Sequence, residues 1–169
     1  MYTLRDYIIS KASSSEEKQV INMLKQIAQW MKNHGINQWQ FLLDGGDDEE
    51  IKEAVAKGNT YLLKKGNEII GTFTLSDCQS EWDEHIFGKE ELSNSLYLHR
   101  LAVLPQYMNQ NLGTEVLTWI YTHFNSRKEY LKLDCVAQNT KLNHFYRSNG
   151  FTYIGETDGH SKYEMRLKN

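Results

Sequence analysis

The chain has 169 residues and a formal net charge of −3; 40% of its residues are apolar and 24% charged. This is the composition of an ordinary folded domain and excludes a disordered chain. The acidic balance, with no basic stripe, argues against a nucleic-acid binder, and no apolar run reaches the roughly 18 residues needed to cross a bilayer. The N-terminal stretch MYTLRDYIISKASSSEE has no apolar h-region, so no secretory signal is expected. Cys78 and Cys135 are far apart in sequence, which suits two free thiols in a reducing cytoplasm. No Cys/His cluster has zinc-ligand spacing, so no metal is expected.

In chain order, Asp6–Lys11 reads as a first strand. Ser14 and Glu17 stand at capping-box spacing. Val20, Ile21, Leu24, Ile27, Ala28 and Met31 then form a helical stripe, ended by His34-Gly35. GINQWQFLL is ambiguous. DGGDDEEIKEAVAKG reads as a second helix whose acidic first turn suits the helix dipole. Thr60–Lys65 and Glu68–Leu75 flank a KGN turn and read as a hairpin. Residues 76–94 read as a long polar loop holding Trp82, Ile86 and Phe87, with Glu81, Asp83 and Glu84 on its solvated surface.

Ser95–Val103, SLYLHRLAV, is the most apolar strand; alternation puts Tyr97, His99 and Leu101 on one face. A helix is expected from Leu112 to Ser126. YLKLDCVA reads as a buried strand, NTKLNHFYRSNG as a short helix, and FTYIGE with YEMRLK as a closing hairpin. With no repeats and no linker, one α/β domain over 1–169 is expected. The strand–helix–strand over 95–134 should be a right-handed parallel crossover.

The loop in VLPQYMNQNLGTEVL, 103–117, opens a helix, and a helix N-terminus can receive a phosphate through its N–H groups. Such loops are usually glycine-rich, yet this one has only Gly113. Asn109 and Asn111 are the next best residues for left-handed backbone. Read alone, the stretch serves equally as a capped turn or as a phosphate cradle.

Its surroundings carry a resemblance. SLYLHRLAVLP followed by YMNQNLGTEVL resembles the acyl-CoA-binding segment of the GNAT N-acetyltransferase superfamily: strand, Q/R-x-x-G-x-G/A, helix. Met108, Asn109, Gln110, Asn111, Leu112 and Gly113 fill the six positions, with methionine where the family has Arg or Gln and asparagines in place of glycine. Downstream, LDCVAQNTKLNHFYRSNGFTYIGE resembles the later family segment, with Asn139, Tyr146 and Gly150-Phe151 at its marked positions. The resemblance implies a single-domain GNAT fold: a mixed, mostly antiparallel sheet of about 6–7 strands, flanked by about 4 helices, its parallel central strands splayed for acyl-CoA.

It further implies acetyl-CoA as co-substrate. Its pantetheine would pair with Leu101, Ala102 and Val103. An N–H near Val103 would face the thioester oxygen. The pyrophosphate would rest on Met108 to Thr114, with Asn139 and Tyr146 also at the cofactor. Tyr146 would be the general acid. YLHRLAV is similar to the strand of aralkylamine N-acetyltransferases in which histidines deprotonate the amine, which makes His99 the candidate base; the loop carboxylates and water are its rivals. Trp39, Trp82 and Tyr97 are candidate pocket walls. The implied reaction is acetyl transfer to a primary amine, a small molecule rather than a protein, by direct attack in a ternary complex. The alternative is a non-catalytic, regulatory acyl-CoA-binding module. The expected partners are acetyl-CoA and an amine, with no nucleic acid and no membrane; if the chain self-associates, a homodimer is the commonest form.

Overall fold

The computed structural model describes residues 2–4, 6–36 and 38–167. Its elements are β1 Tyr2–Leu4, β2 Tyr7–Lys11, α1 Glu17–Asn33, α2 Asp48–Ala56, β3 Thr60–Lys65, β4 Glu68–Ser76, α3 Glu81–Phe87, β5 Ser95–Val103, α4 Leu112–Phe124, β6 Tyr130–Val136, α5 Thr140–Ser148, β7 Thr152–Thr157 and β8 His160–Arg166. Short 3-10 turns cover Ser14–Glu16, Gln40–Asp44 and Pro105–Tyr107. The hydrogen-bonded strand order is β1-β2-β3-β4-β5-β6-β8-β7, a mixed sheet. None of the described helices is long and apolar enough to cross a membrane.

Two elements exceed the sequence expectation. β1 is a three-residue strand folded back on β2 through Tyr2↔Ile9, too short to show an alternating pattern. α3 lies inside the stretch read as a loop. Ser80 and Asp83 form its capping box, and Trp82 and Ile86 follow at helical spacing. The last expected strand, Tyr163–Lys168, runs two residues past the end of β8 at Arg166, and Lys168 lies outside the described residues.

The chain divides into two compact units. The first holds residues 1–74 and 100–115. Its core sets the α1 stripe Val20, Leu24, Ile27 and Ala28 among Leu42, Ile51, Val55, Leu62, Ala102 and Leu104. The capping box sits one residue earlier than expected. Ser13 N donates to Glu16 Oε1 at 2.9 Å, and Glu16 also pairs with Lys64. Glu16 answers an orphan amide and a lysine at once, which Glu17 does not.

Within this unit the C-terminal half of β5 is shaped by backbone. Leu104 N donates to Ile70 O at 2.9 Å. A Cβ on Gly71 would come within 3.0 Å of the Ala102 carbonyl oxygen, so glycine allows the close approach. Arg100 has φ 52, a left-handed residue inside a strand, with its Nη1 at 3.5 Å from Asp47 Oδ2. The expected alternation Tyr97–His99–Leu101 is therefore interrupted after His99, because a left-handed residue breaks the pleat.

The loop after β5 has the backbone expected of its asparagines. Asn109 and Asn111 have φ 65 and 64, and the chain then enters α4 at Leu112. Tyr7 donates its hydroxyl to Gln110 Oε1 at 3.2 Å, tying β2 to this loop.

The second unit holds residues 75–99 and 116–169. β5 and β6 pair in parallel from Ser95↔Tyr130 to Tyr97↔Lys132, and there the ladder stops although β6 continues to Val136. β6 instead pairs along its whole length with β8, from Tyr130↔Arg166 to Val136↔His160. β7 and β8 are joined by Asp158-Gly159, with φ 51 and 74, the two left-handed positions of a tight hairpin turn.

If left-handed backbone is what the 108–114 loop needs, Asn111→Gly should fold with stability close to the parent, while Asn111→Val should lose about 1–2 kcal/mol, since a β-branched side chain resists φ above zero. Urea denaturation of the two variants checks this.

Candidate active site

The alternating register of β5 places Tyr97 and His99 on one face. Tyr97 has no solvent exposure; its hydroxyl bonds Ser93 Oγ at 2.7 Å, and Phe87 packs against its ring. Burial pushes its phenol pKa upward. Tyr97 is thus an internal strut, which corrects its expected place as an open pocket wall. Trp39 packs against the core of the first unit with a left-handed φ of 63.

His99 Nε2 lies 3.0 and 3.1 Å from the two oxygens of Asp83. Asp83, expected on a solvated loop, is wholly buried. The correction has a local cause. Asp83 is the third residue of α3, and its Oδ2 accepts from Ser80 N at 3.0 Å while Ser80 Oγ accepts from Asp83 N at 3.1 Å. The capping box that starts the helix therefore delivers a fixed carboxylate to His99. A carboxylate oxygen accepts, so the ring hydrogen between the two groups sits on Nε2, and in the neutral imidazole Nδ1 is then the nitrogen with the lone pair.

Asp134 was not among the residues read from the sequence as functional. It lies on β6 between the inward Leu133 and Cys135, on the same partly exposed face as Lys132. Its Oδ2 accepts from Trp82 Nε1 at 3.1 Å and lies 3.0 Å from His160 Nδ1. The Trp82 and His160 rings meet edge to face at 4.9 Å, and Trp82 remains 37% exposed. His85 on α3 contacts Asp158 in the β7–β8 turn, its Nε2 3.1 Å from Asp158 Oδ2. Ligand-type atoms of Asp83, His99 and Asp134 all lie within 4.8 Å of one another, close enough to surround a small cation.

α5 carries the second expected group. Asn139 caps it, its Oδ1 accepting from Leu142 N at 3.0 Å. The buried Asn143, which sequence reading passed over, donates to Val136 O and Asn139 O and accepts from the Tyr163 hydroxyl at 2.6 Å. It locks α5 to the end of β6 and the middle of β8. Tyr146 is buried among Phe145, Phe151 and Tyr163. Its hydroxyl makes no hydrogen bond among the described residues. Burial, with smaller contributions from Cys135 and Asp134, holds its pKa far above the ordinary phenol value. Cys135 is buried, and its thiol is pushed up to about 12 by burial. A separate open cavity of about 330 Å³ is lined by Ala137, Thr140, Asn143, His144, Arg147 and Tyr153 among others. Arg147 stacks there over Tyr153.

The expected cofactor residues of the first unit run in one stretch. Leu101 and Val103 are partly exposed on β5, and Ala102 is buried. Met108 is extended, Asn109 and Asn111 are left-handed, and Leu112, Gly113 and Thr114 form the first turn of α4. The first turn of a helix presents backbone N–H groups and the positive end of the helix dipole.

His160 is held above the ordinary histidine value by its contact with Asp134, an effect that burial partly offsets. A raised folded pKa means stability that is present below the unfolded value and is lost as pH rises through the folded one. The stability difference between the parent and Asp134→Asn should therefore be widest near pH 6 and narrow toward pH 9. Thermal unfolding at stepped pH measures it.

The comparisons with known proteins agree on one family. The acetyltransferase (GNAT) family profile matches residues 38–151. The chain is 35% identical over 155 residues to the uncharacterized N-acetyltransferase YesJ of Bacillus subtilis (strain 168), covering 90% of this chain and 86% of YesJ. Among solved structures, a GNAT-family acetyltransferase from Listeria monocytogenes superposes with TM-score 0.83 at 22% identity, covering 95% of this chain and 94% of the other. PaiA N-acetyltransferase from Thermoplasma acidophilum, solved in complex with coenzyme A, superposes with TM-score 0.74 at 16% identity over 95% and 98% of the two chains. The fold class inferred from two sequence segments is the observed one, with its sheet extended to eight strands and its helices to five among the described residues. The chain belongs to the acetyltransferase (GNAT) family and is an acyltransferase.

Proposed function

We propose that this protein transfers the acetyl group of acetyl-CoA to the primary amine of a small molecule, by direct attack in a ternary complex, and that its 169 residues act as one catalytic domain. The observation that carries this reading is the buried Asp83 carboxylate held on His99 Nε2, which leaves Nδ1 as a proton acceptor of fixed direction. Surface histidines have no need of a buried partner.

The reaction balances on residues of this chain. His99 Nδ1 takes a proton from the acceptor's ammonium, and the freed lone pair attacks the thioester carbon. The C–N bond forms and the C–S bond breaks. The nitrogen's second proton ends on the departing thiolate, which the Tyr146 hydroxyl, unoccupied among the described residues, meets with a hydrogen bond, and His99 returns its own proton to solvent. The high pKa of that phenol keeps its proton in place throughout the working pH range. The same burial makes the phenolate costly, so Tyr146 acts chiefly by donating a hydrogen bond to the sulfur as charge develops. Backbone at Leu101, Ala102 and Val103 would pair with pantetheine. The amides from Met108 to Thr114 would receive the pyrophosphate, aided by the left-handed Asn109 and Asn111. Asn139 would serve the cofactor while capping α5.

The rival regulatory module drew its support from the missing glycines. That support weakens once both asparagines take the glycine-like conformation. Two measurements separate the readings. Acetyl-CoA should bind with micromolar affinity by calorimetry, and the double variant Asn109→Asp, Asn111→Asp should abolish binding by repelling the pyrophosphate. Tyr146→Phe and His99→Gln should each lower kcat by about 10²-fold or more while acetyl-CoA affinity holds. Tight acetyl-CoA binding with no turnover on any primary amine would leave the regulatory module.

A further inference from the structure

Resting on that reading, we propose that Asp134 is the binding anchor for the acceptor's ammonium, with the exposed face of Trp82 as its aromatic wall, so that the substrates are amines that arrive protonated.

Both protein contacts to Asp134 fall on Oδ2, from Trp82 Nε1 and His160 Nδ1. Oδ1 has no partner among the described residues and is not sealed from solvent. The side chain is only 8% exposed, so the oxygen left over looks onto a restricted opening. A carboxylate oxygen open to solvent and held by no protein donor is the one that a ligand N–H can reach. The cation nearest in sequence does not. Lys132, two residues earlier on the same face of β6, sets its Nζ over the Phe87 ring at 5.7 Å. Asp83 takes its hydrogen bonds from Ser80 and His99 on Oδ2, and its Oδ1, 3.0 Å from His99 Nε2, is sealed from solvent and cannot meet a ligand.

The geometry also links the anchor to the chemistry. Ligand-type atoms of Asp134 and His99 lie within 4.8 Å of each other. An ammonium on Asp134 would thus stand next to the group that takes its proton. Trp82 is fixed by its indole N–H on the same carboxylate and keeps 37% of its surface exposed. An aromatic face beside a carboxylate attracts a cation from both sides. A neutral molecule of the same shape gains only the aromatic contact.

The test uses the whole chain and two probes of nearly equal shape, benzylamine and benzyl alcohol, observed at the Trp82 indole Nε1–H by NMR. Trp82→Phe assigns the resonance. Benzylamine should shift it saturably in the parent, benzyl alcohol should not, and Asp134→Asn should lose at least tenfold in benzylamine affinity. In turnover, Asp134→Asn should raise KM for any amine found by screening at least tenfold with KM for acetyl-CoA unchanged. Equal shifts by the two probes in the parent, or an unchanged amine KM in the variant, would overturn the anchor. Benzylamine binding at Asp134 in a protein that neither binds nor consumes acetyl-CoA would sink the reading of acetyl transfer from acetyl-CoA to an amine and leave the cation site standing.

Discussion

A carboxylate with no access to water is the constraint around which the second unit is arranged. An unpaired buried charge costs several kcal/mol, so Asp83 must be met on every side that can donate. Ser80 supplies an amide from the turn before α3, and His99 supplies a ring N–H from β5. The consequence runs both ways. The helix can start only where Ser80 and Asp83 cap each other, and the imidazole can adopt only the tautomer that serves the carboxylate. An element that looks like an insertion between two strands therefore sets the protonation geometry of a residue on the sheet.

The first unit works by backbone rather than by side-chain charge. Left-handed residues at Arg100, Asn109 and Asn111 bend the chain as it leaves β5 and enters α4. Asparagine tolerates that region with a modest penalty, while glycine adopts it freely. Asparagine in return brings a shorter list of accessible conformations to the unfolded chain, so the loop loses less entropy on folding than a glycine loop would. The family's glycine pattern and this chain's asparagine pattern are two solutions to one backbone requirement.

Much of this was legible in the residues because it repeats with a period. The α1 stripe, the β3–β4 hairpin and the Tyr146 helix all announce themselves by spacing. The two family segments, around Asn109–Gly113 and Asn139–Tyr146, carry the fold even where the individual glycines are absent. What stayed hidden depends on tertiary partners. Asp83 in a polar stretch of 76–94 reads as a surface acid until His99 is beside it, although Ser80 three residues before it was a helix-start signal in plain view. Asp134 in YLKLDCVA reads as part of a buried strand, and the alternation that turns it outward shows only in the fold. Nothing local says that Trp82, 52 residues earlier, donates to it. Tyr97 misled in the opposite sense. A polar aromatic near a presumed site invites a pocket role, whereas Ser93 satisfies its hydroxyl inside the core.

The two cysteines have opposite fates. Cys135 is buried with its thiol pushed up to about 12, so almost none of it is thiolate at neutral pH, whereas Cys78 is exposed just ahead of α3. Under native conditions an electrophile therefore meets one nucleophilic sulfur. The wild-type chain can accept a single fluorophore or spin label five residues before Asp83 without any engineered cysteine, and unfolding announces itself as a second equivalent of labelling.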